Sequence, residues 1–415
     1  MTCLIKNIKS LVAVRSENKL LRGKELAELP CIENAYLIVE GGFIAGYGKM
    51  SDLNYTVDNN TFQNVIDAEG CFVLPTWCDS HSHIVFAGSR ENEFVDKING
   101  LSYAEIAAKG GGILNSAQKL NEASEDELFI NAWKRLEELA RLGTGAIEIK
   151  SGYGLTLASE LKMLRVIKKL KEKSSVSIKS TFLGAHTYPS AFKDNHEAYL
   201  QLLLNEMLPV IAQEKLVDYI DVFCENGFFS VEEMERICKA GMQWGLKPKL
   251  HINQLNSIGG IQSAIKMNAI SVDHLETMTE EDVDDLSKSN TIGTLLPTAA
   301  FFLRMPYQPA RKLIDSGCAI ALASDYNPGS SPSGNMNFVV ALSCIQLKML
   351  PEEAINAATL NGAYAMEVEK ELGSIQIGKK ASFIITKPIN SLSYMPYSFG
   401  TNVIDKVMIN GEIIN

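Results

Sequence analysis

This chain of 415 residues contains six histidines, and two of them, His81 and His83, stand one residue apart in CDSHSHIVF. In a β-strand, residues i and i+2 share a face, so both imidazoles project side by side from an apolar run. Burying them together is costly unless their nitrogens find partners. A metal ion would satisfy both at once. Two half-exposed histidines at a strand end are the plainer alternative, and H-x-H alone does not decide between them. The other histidines weigh on the choice. His186, His251 and His274 each close a β-branched run, Asp325 closes another in ALASD, and only His196 opens a helical segment, as a surface or capping residue. Three imidazoles and one carboxylate form a donor set for zinc that iron also uses. His81, His83, His251 and Asp325 are the expected ligands of one Zn2+ or Fe3+ ion per chain. Such an ion lowers the pKa of a bound water and makes hydroxide near neutral pH. Asp325, touching that water, could take its proton and later deliver it to a leaving nitrogen, with His274 as a second titratable group.

These side chains meet only if the elements carrying them converge. Eight β-branched runs alternate with helix-periodic segments: FVLPTWCDSHSH, GAIEIKS, SIKSTFLGAH, YIDVFCENG, KPKLHIN, AISVDHLE, TIGTLLPT and AIALASD. Among the intervening helices, SVEEMERICKAGMQWG opens with a capping box, Ser230 as N-cap and Glu233 three residues on. Eight such units are the count for a (β/α)8 TIM-like barrel, in which catalytic groups sit at the C-terminal strand ends. His81 and His83 then end strand 1, His186 strand 3, His251 strand 5, His274 strand 6 and Asp325 strand 8. A doubly wound open sheet is the alternative, disfavoured because no G-x-G-x-x-G follows the first strand. Gly110-Gly111-Gly112 lacks a following Lys-Ser/Thr and reads as a loop, not a phosphate cradle. Both chain ends read as short strands, with Gly41-Gly42 and Asn410-Gly411 as hairpin turns. The expected organisation is α/β: a barrel over 74–372, and a small β-sandwich domain built from both termini, 1–73 and 373–415.

Composition narrows the partners. Hydrophobic content of 46% with 21% charged residues suits a globular protein with a large core. A net charge of −10 argues against nucleic acid or an anionic membrane as partner, and an anionic ligand would need a local cation. Eight scattered cysteines without a C-x-x-C pair suit free thiols in a reducing cytoplasm. The start MTCLIKNIKS has no apolar core for a signal peptide, and no 18-residue apolar run follows.

The chain resembles the amidohydrolase superfamily in its H-x-H on strand 1, histidines on strands 5 and 6, aspartate on strand 8 and β domain from both termini. Within that superfamily it is similar to the imidazolonepropionase family through DSHSHIVFAGSRENEF, AAKGGGI, EIKSGYGL, TFLGAHTYP, VFCENGFFS, SVDHLE and ASDYNPGSSP. These blocks span essentially the whole barrel. The resemblance implies zinc- or iron-dependent hydrolysis of the cyclic amide 4-imidazolone-5-propanoate to N-formimidoyl-L-glutamate, a step of histidine degradation, by hydroxide attack on the ring carbonyl. It places substrate contacts on Arg90, Tyr153, His186, Gln254, Asn327, Gly329 and Ser330, and catalytic roles on Asp325, His274 and Gln254.

Each substrate contact also has a local reading and a blander one. Arg90 could fork onto the propionate carboxylate or pair with Glu91 or Glu93. Tyr153 could face the ring or pack in its loop. His186 could hydrogen-bond the ring carbonyl or sit in the core. The amides and Ser330 hydroxyl of DYNPGSS suit an anion or amidine, or form an ordinary Asn-Pro-Gly turn. Gln254 bears on the rivals. Related deaminases carry H-x-x-E after strand 5, whereas HINQ supplies a glutamine, which cannot titrate. Some members of the resembled family carry glutamate there, so the division of roles around Gln254 stays open. A binuclear site bridged by a carboxylated lysine would need that lysine on strand 4, where VFCENG stands, although Lys150 ends strand 2. Another mononuclear cyclic amidase or deaminase and a non-catalytic barrel are the remaining alternatives. The expected partner is a small anionic heterocycle, with neither nucleic acid nor membrane, and a homodimer is left open.

Overall fold

The computed structural model describes residues 2–53, 62–101, 105 and 111–414. The chain begins with strands β1 (Thr2–Val12), β2 (Cys31–Glu40), β3 (Phe43–Lys49), β4 (Asn64–Asp67) and β5 (Phe72–Pro75). Eight strands follow, each separated from the next by helix or loop: β6 (Trp77–Asp79), β7 (Thr144–Lys150), β8 (Ser177–Ala185) and β9 (Tyr219–Cys224). Then come β10 (Lys247–Ile252), β11 (Ser271–His274), β12 (Ile292–Leu295) and β13 (Ile320–Leu322). Strands β14 (Phe383–Thr386), β15 (Ile404–Ile409) and β16 (Glu412–Ile414) finish the chain.

Strands β6 to β13 form one parallel sheet in sequential order. Backbone bonds close it: Asp325 N–H donates to the His81 carbonyl at 3.0 Å, and His83 N–H to the Tyr326 carbonyl at 2.9 Å. The Asp79 carboxylate tightens the seam by accepting the N–H of Ser324 at 2.9 Å and its hydroxyl at 2.6 Å. The sheet is a barrel and not an open doubly wound sheet. Helices cover its outside through apolar stripes. In the helix Val231–Gln243 the buried positions are Met234, Ile237, Cys238 and Gly241, a 3-1-3 spacing that lays one face on the strands. Ser230 and Glu233 form the capping box, with reciprocal bonds of 3.2 and 2.7 Å.

Both termini build the second sheet, ordered β16-β15-β14-β5-β1-β2-β3 with β4 beside β1. It is a single sheet folded over its own core. The Ile44 N–H reaches the Lys379 carbonyl at 2.8 Å, joining the β3 edge to the segment ahead of β14. Leu11, Leu37, Val39, Val73, Phe383 and Ile385 fill the enclosed space. Both hairpin turns have positive φ at the two central residues, +58° and +88° at Gly41-Gly42 and +52° and +83° at Asn410-Gly411. That conformation matches strand twist and favours Gly and Asn.

The run FVLPTWCDSHSH is not one strand. Residues 72–75 pair with β1 and β14 in the small sheet, and only Trp77–Asp79 pair with β7 in the barrel. The chain passes between sheets at Pro75, which has no N–H to continue a ladder. His81 and His83 therefore lie just beyond β6, along the seam that closes the barrel. Gly110 lies outside the described residues; Gly112 precedes the helix Ile113–Glu122, and its N–H donates to Glu93 at 2.9 Å. All eight cysteines are free thiols. No helix among the described residues is long and apolar enough to cross a membrane.

Candidate active site

The C-terminal strand ends bring His81, His83, His251, His274 and Asp325 into one buried cluster. His274 and Asp325 have positive φ, +90° and +52°, so each backbone turns sharply as its strand ends. Such strain is kept where the surroundings over-determine it. The His81 and His83 Nε2 atoms are 3.4 Å apart, and each lies 3.5 Å from Asp325 Oδ1. Metal bonds of about 2.0–2.1 Å at tetrahedral angles put neighbouring donor atoms about 3.3–3.4 Å apart. The triangle already has the edge lengths of a mononuclear site. His251 adds a third imidazole, its ring centroid 4.4 Å from that of His81, and His274 lies 5.2 Å from His251.

Carboxylates behind two of the imidazoles fix which nitrogen faces the centre. His81 Nδ1 meets Asp273 Oδ2 at 2.7 Å, and His251 Nδ1 meets Asp221 Oδ2 at 2.8 Å. An ionised carboxylate only accepts, so each Nδ1 carries the proton and each Nε2 is left bare as a donor to metal. Below them lies Lys150, fully buried, with Nζ 2.6 Å from Glu148, 2.8 Å from Asp221 and 3.7 Å from Asp273. Lys249 joins Glu148 from the other side at 3.2 Å. Lys150 is thus an ion-paired support for the ligand-holding carboxylates. It does not sit on strand 4, where a bridging carboxylated lysine would be required.

Burial pushes His81, His83 and His251 well below the ordinary histidine range, and neighbouring cationic groups push the same way. That shift favours the neutral imidazole, the form a metal ligand requires. Burial raises Asp325 to about 6, against the pull of His274 and of hydrogen bonds from Asn327 and Ser330. His274 goes the other way: burial lowers it, but Glu276, 3.4 Å from Nδ1, together with Asp325 and Asp273 outweighs that and the net shift is upward.

A cavity of about 460 Å³ opens above this cluster, lined by Arg90, Lys97, Ile113, Tyr153, His186, Phe223, Phe228, Gln254, Leu303, Asn327, Gly329 and Ser330, among others. Every residue expected to touch substrate is in that wall. Arg90 donates through Nε to Ser116 at 2.9 Å. Glu91 and Glu93 accept instead from the Ser89 hydroxyl and the Gly112 N–H. In DYNPGSS the Gly329 and Ser330 amides follow the ordinary-turn alternative. Both N–H groups donate to Asn327 Oδ1 at 2.8 Å, and the Ser330 hydroxyl lies between Asn327 Nδ2 and Asp325 Oδ2. The asparagine side chain closes the turn on itself, as such side chains do in Asx turns. His186 Nδ1 is 3.2 Å from the Gly152 carbonyl, a contact that bears on what its other nitrogen can do. His196 lies outside the cluster, half-exposed and stacked on Tyr188 at 3.6 Å.

The amidohydrolase family model matches residues 72–414. The chain belongs to the amidohydrolase family. It is 58% identical over 415 residues, the whole of both chains, to an imidazolonepropionase of Flavobacterium johnsoniae. It is 55% identical to that of Christiangramia forsetii, again over both full lengths. At 38% identity it matches the imidazolonepropionase of Alkaliphilus metalliredigens over 99% of this chain and 97% of the relative. Among solved structures, an Escherichia coli guanine deaminase superposes with a TM-score of 0.72 at 14% identity, covering 100% of this chain and 99% of that one. A zinc-bound adenosine deaminase of Xanthomonas campestris gives 0.69 at 14%, covering 99% and 92%. At that identity the structures share the fold. The amidohydrolase fold and the His/Asp cluster together support a mononuclear metal site.

In this amidohydrolase the site also contains residues that the motifs did not point to: Asp221, Asp273 and Glu148 under the histidines, Glu276 behind His274, and Lys97 in the cavity wall. The signal for the first three was present. Each is a charged residue within a β-branched run, in YIDVFC, SVDH and GAIEIK, and all three are buried. A charge at such a position survives only with a partner.

Proposed function

We propose that this amidohydrolase opens the ring of 4-imidazolone-5-propanoate by hydrolysis, giving N-formimidoyl-L-glutamate in histidine degradation. The carrying observation is the 58% identity with an imidazolonepropionase over the full length of both chains. The buried cluster of His81, His83, His251 and Asp325 beside the cavity that His186 and Ser330 line supports it. Water adds across the ring C–N bond: the carbonyl carbon becomes the new carboxylate, and the ring nitrogen leaves as the formimidoyl nitrogen.

His81, His83, His251 and Asp325 would hold one zinc or iron ion, whose Lewis acidity, when it is bound, makes water nucleophilic near neutral pH. Asp325 is the group that takes the proton from the attacking water and hands it to the leaving nitrogen. His274, raised and held by Glu276, stands ready to polarise the carbonyl oxygen. Arg90 presents a fork to the propionate carboxylate. Tyr153, Gln254, Asn327, Gly329 and Ser330 shape the wall around the ring. Gln254 donates and accepts hydrogen bonds but does not titrate, which speaks against the proton shuttle of a deaminase. Free thiols suit a cytoplasmic setting. The test is direct turnover of the imidazolone by metal-loaded protein, followed as formation of formimidoylglutamate. Folded, loaded protein that leaves the substrate intact would overturn the reading.

A further inference from the structure

The loop after β7, Ser151–Leu155, contains an arrangement that the reaction as described does not use. Glu160 lies in the first turn of the helix Leu157–Lys173 and is fully buried. Its carboxylate accepts three backbone N–H groups, from Gly152 at 3.2 Å, Gly154 at 2.7 Å and Leu155 at 3.0 Å. Gly152 has φ +108°, and a Cβ there would come 2.8 Å from the Leu183 carbonyl. Glycine in this conformation turns its own carbonyl onto His186 Nδ1 at 3.2 Å.

A backbone carbonyl only accepts. His186 Nδ1 must therefore carry the proton, and Nε2 of the neutral ring is a bare acceptor. The ring is stacked on His83 at 5.5 Å and 15°, and it lines the cavity beside Tyr153. A donor role toward the substrate's ring carbonyl is closed to it, because two acceptors would face each other.

We infer that His186 reads a ring N–H of the cyclic amide through Nε2, and that Glu160 is the positioning residue that holds it in this polarity through the Gly152 carbonyl. This rests on the proposed reaction for the identity of the ring, and the tautomer itself does not depend on it. The substrate class selected is a five-membered lactam with an N–H on the side facing His186; replacement of that N–H by oxygen or N-methyl would leave Nε2 unpaired.

The experiment has two arms on metal-loaded, full-length protein. In the first, nitrogen-15 histidine labelling, with His186→Gln for assignment, reads the tautomer of His186; the Nδ1–H form is expected. In the second, inhibition is compared for two propanoate-bearing cyclic imides, hydantoin-5-propanoate and its analogue with the ring N–H groups methylated. Wild type should prefer the N–H form about 10- to 100-fold. Glu160→Gln, which turns an amide NH2 toward backbone donors, should shrink that ratio to a few-fold and raise KM more than it lowers kcat, with metal content unchanged. A merely structural Glu160 would lower the melting temperature and leave the ratio intact. An Nε2–H tautomer in wild type, or equal inhibition by both imides, overturns the inference. Turnover of the imidazolone alongside an Nε2–H tautomer overturns the inference alone; absent turnover with the Nδ1–H tautomer overturns only the proposed reaction.

Discussion

Replacing Lys150 by Met should destabilise the protein by about 3–5 kcal/mol, the usual loss when one partner of a buried ion pair is removed. The lysine is fully buried and faces Glu148, Asp221 and Asp273 at 2.6, 2.8 and 3.7 Å. At an effective dielectric of ~20, each contact is worth on the order of 5 kcal/mol, and the desolvation of the ammonium offsets much of the total. Burial lowers the affinity of Lys150 for its proton, but the three carboxylates more than reverse that, so it stays charged at any working pH. Methionine fills similar volume, so cavity formation contributes little. What remains is the cost of carboxylates left without their cation. An unfolding entropy of about 2.1 cal/mol/K per residue turns this loss into a melting decrease of about 3–6 °C for a chain of this length. Thermal and urea unfolding of the metal-stripped protein are the assays, since bound metal would mask the difference. A Lys150→Met protein within about 0.5 kcal/mol of wild type would refute the reasoning and mean that the carboxylates are protonated in the fold.

The metal site should lose its ion in the His81→Ala, His83→Ala double variant; wild-type metal content by elemental analysis would remove both residues from the ligand set. Asp325 sits at about 6 without metal, raised chiefly by burial, so proton and metal compete for the same oxygen below that pH. Metal affinity measured by chelator competition should therefore be flat above about pH 7 and fall as pH drops through 6, and a flat profile to pH 5 would contradict the assignment. Asp325→Asn should reduce kcat by several orders of magnitude, and near-normal turnover with metal retained would show that another group moves the proton. Losing the charge-assisted contact to the propionate in Arg90→Met should cost about 2–4 kcal/mol, or roughly 30- to 1000-fold in kcat/KM. Most of that should appear in KM, with partial recovery in Arg90→Lys; an equal loss on an imidazolone lacking the carboxylate would mean that Arg90 only holds its loop.

Local pattern made the barrel and the convergence of its histidines readable. His81, His83, His251, His274 and Asp325 each stand where an apolar run stops, and strand ends are where a barrel gathers its chemistry. The hairpins at Gly41-Gly42 and Asn410-Gly411 were equally local, because positive φ narrows the residue choice. What escaped depends on register between strands distant in sequence. Pairing of β10 with β11 and β9 sets Asp273 and Asp221 under different histidines, and no spacing within YIDVFC or SVDH says which carboxylate serves which ring. The break of FVLPTWCDSHSH between two sheets is marked locally only by Pro75, since Phe72–Leu74 before it and Trp77-Cys78 after it are both apolar. The turn after Asp325 stayed open between two readings for another reason: its amides could serve an anion or the Asn327 side chain, and only the side-chain rotamer decides.

The arrangement of charge around the site follows one rule from floor to mouth. Lys150 and Lys249 lie lowest, Glu148, Asp221 and Asp273 above them, and the neutral imidazoles above those. Paired with cations from below, Asp221 and Asp273 present an oxygen to imidazole Nδ1 and are held off the metal position itself. The Nε2 atoms then face upward with no proton to displace. A substrate entering this cavity meets a cation position at the floor and, at the rim, Arg90 with Lys97, whose Nζ is 3.5 Å from the Gly329 carbonyl. Both cationic zones attract a carboxylate, yet only the rim offers a fixed two-donor fork without a competing Asp325. The proposed substrate would therefore place its propionate at Arg90, and the ring, at the other end of the same short molecule, would lie over Asp325 and His274.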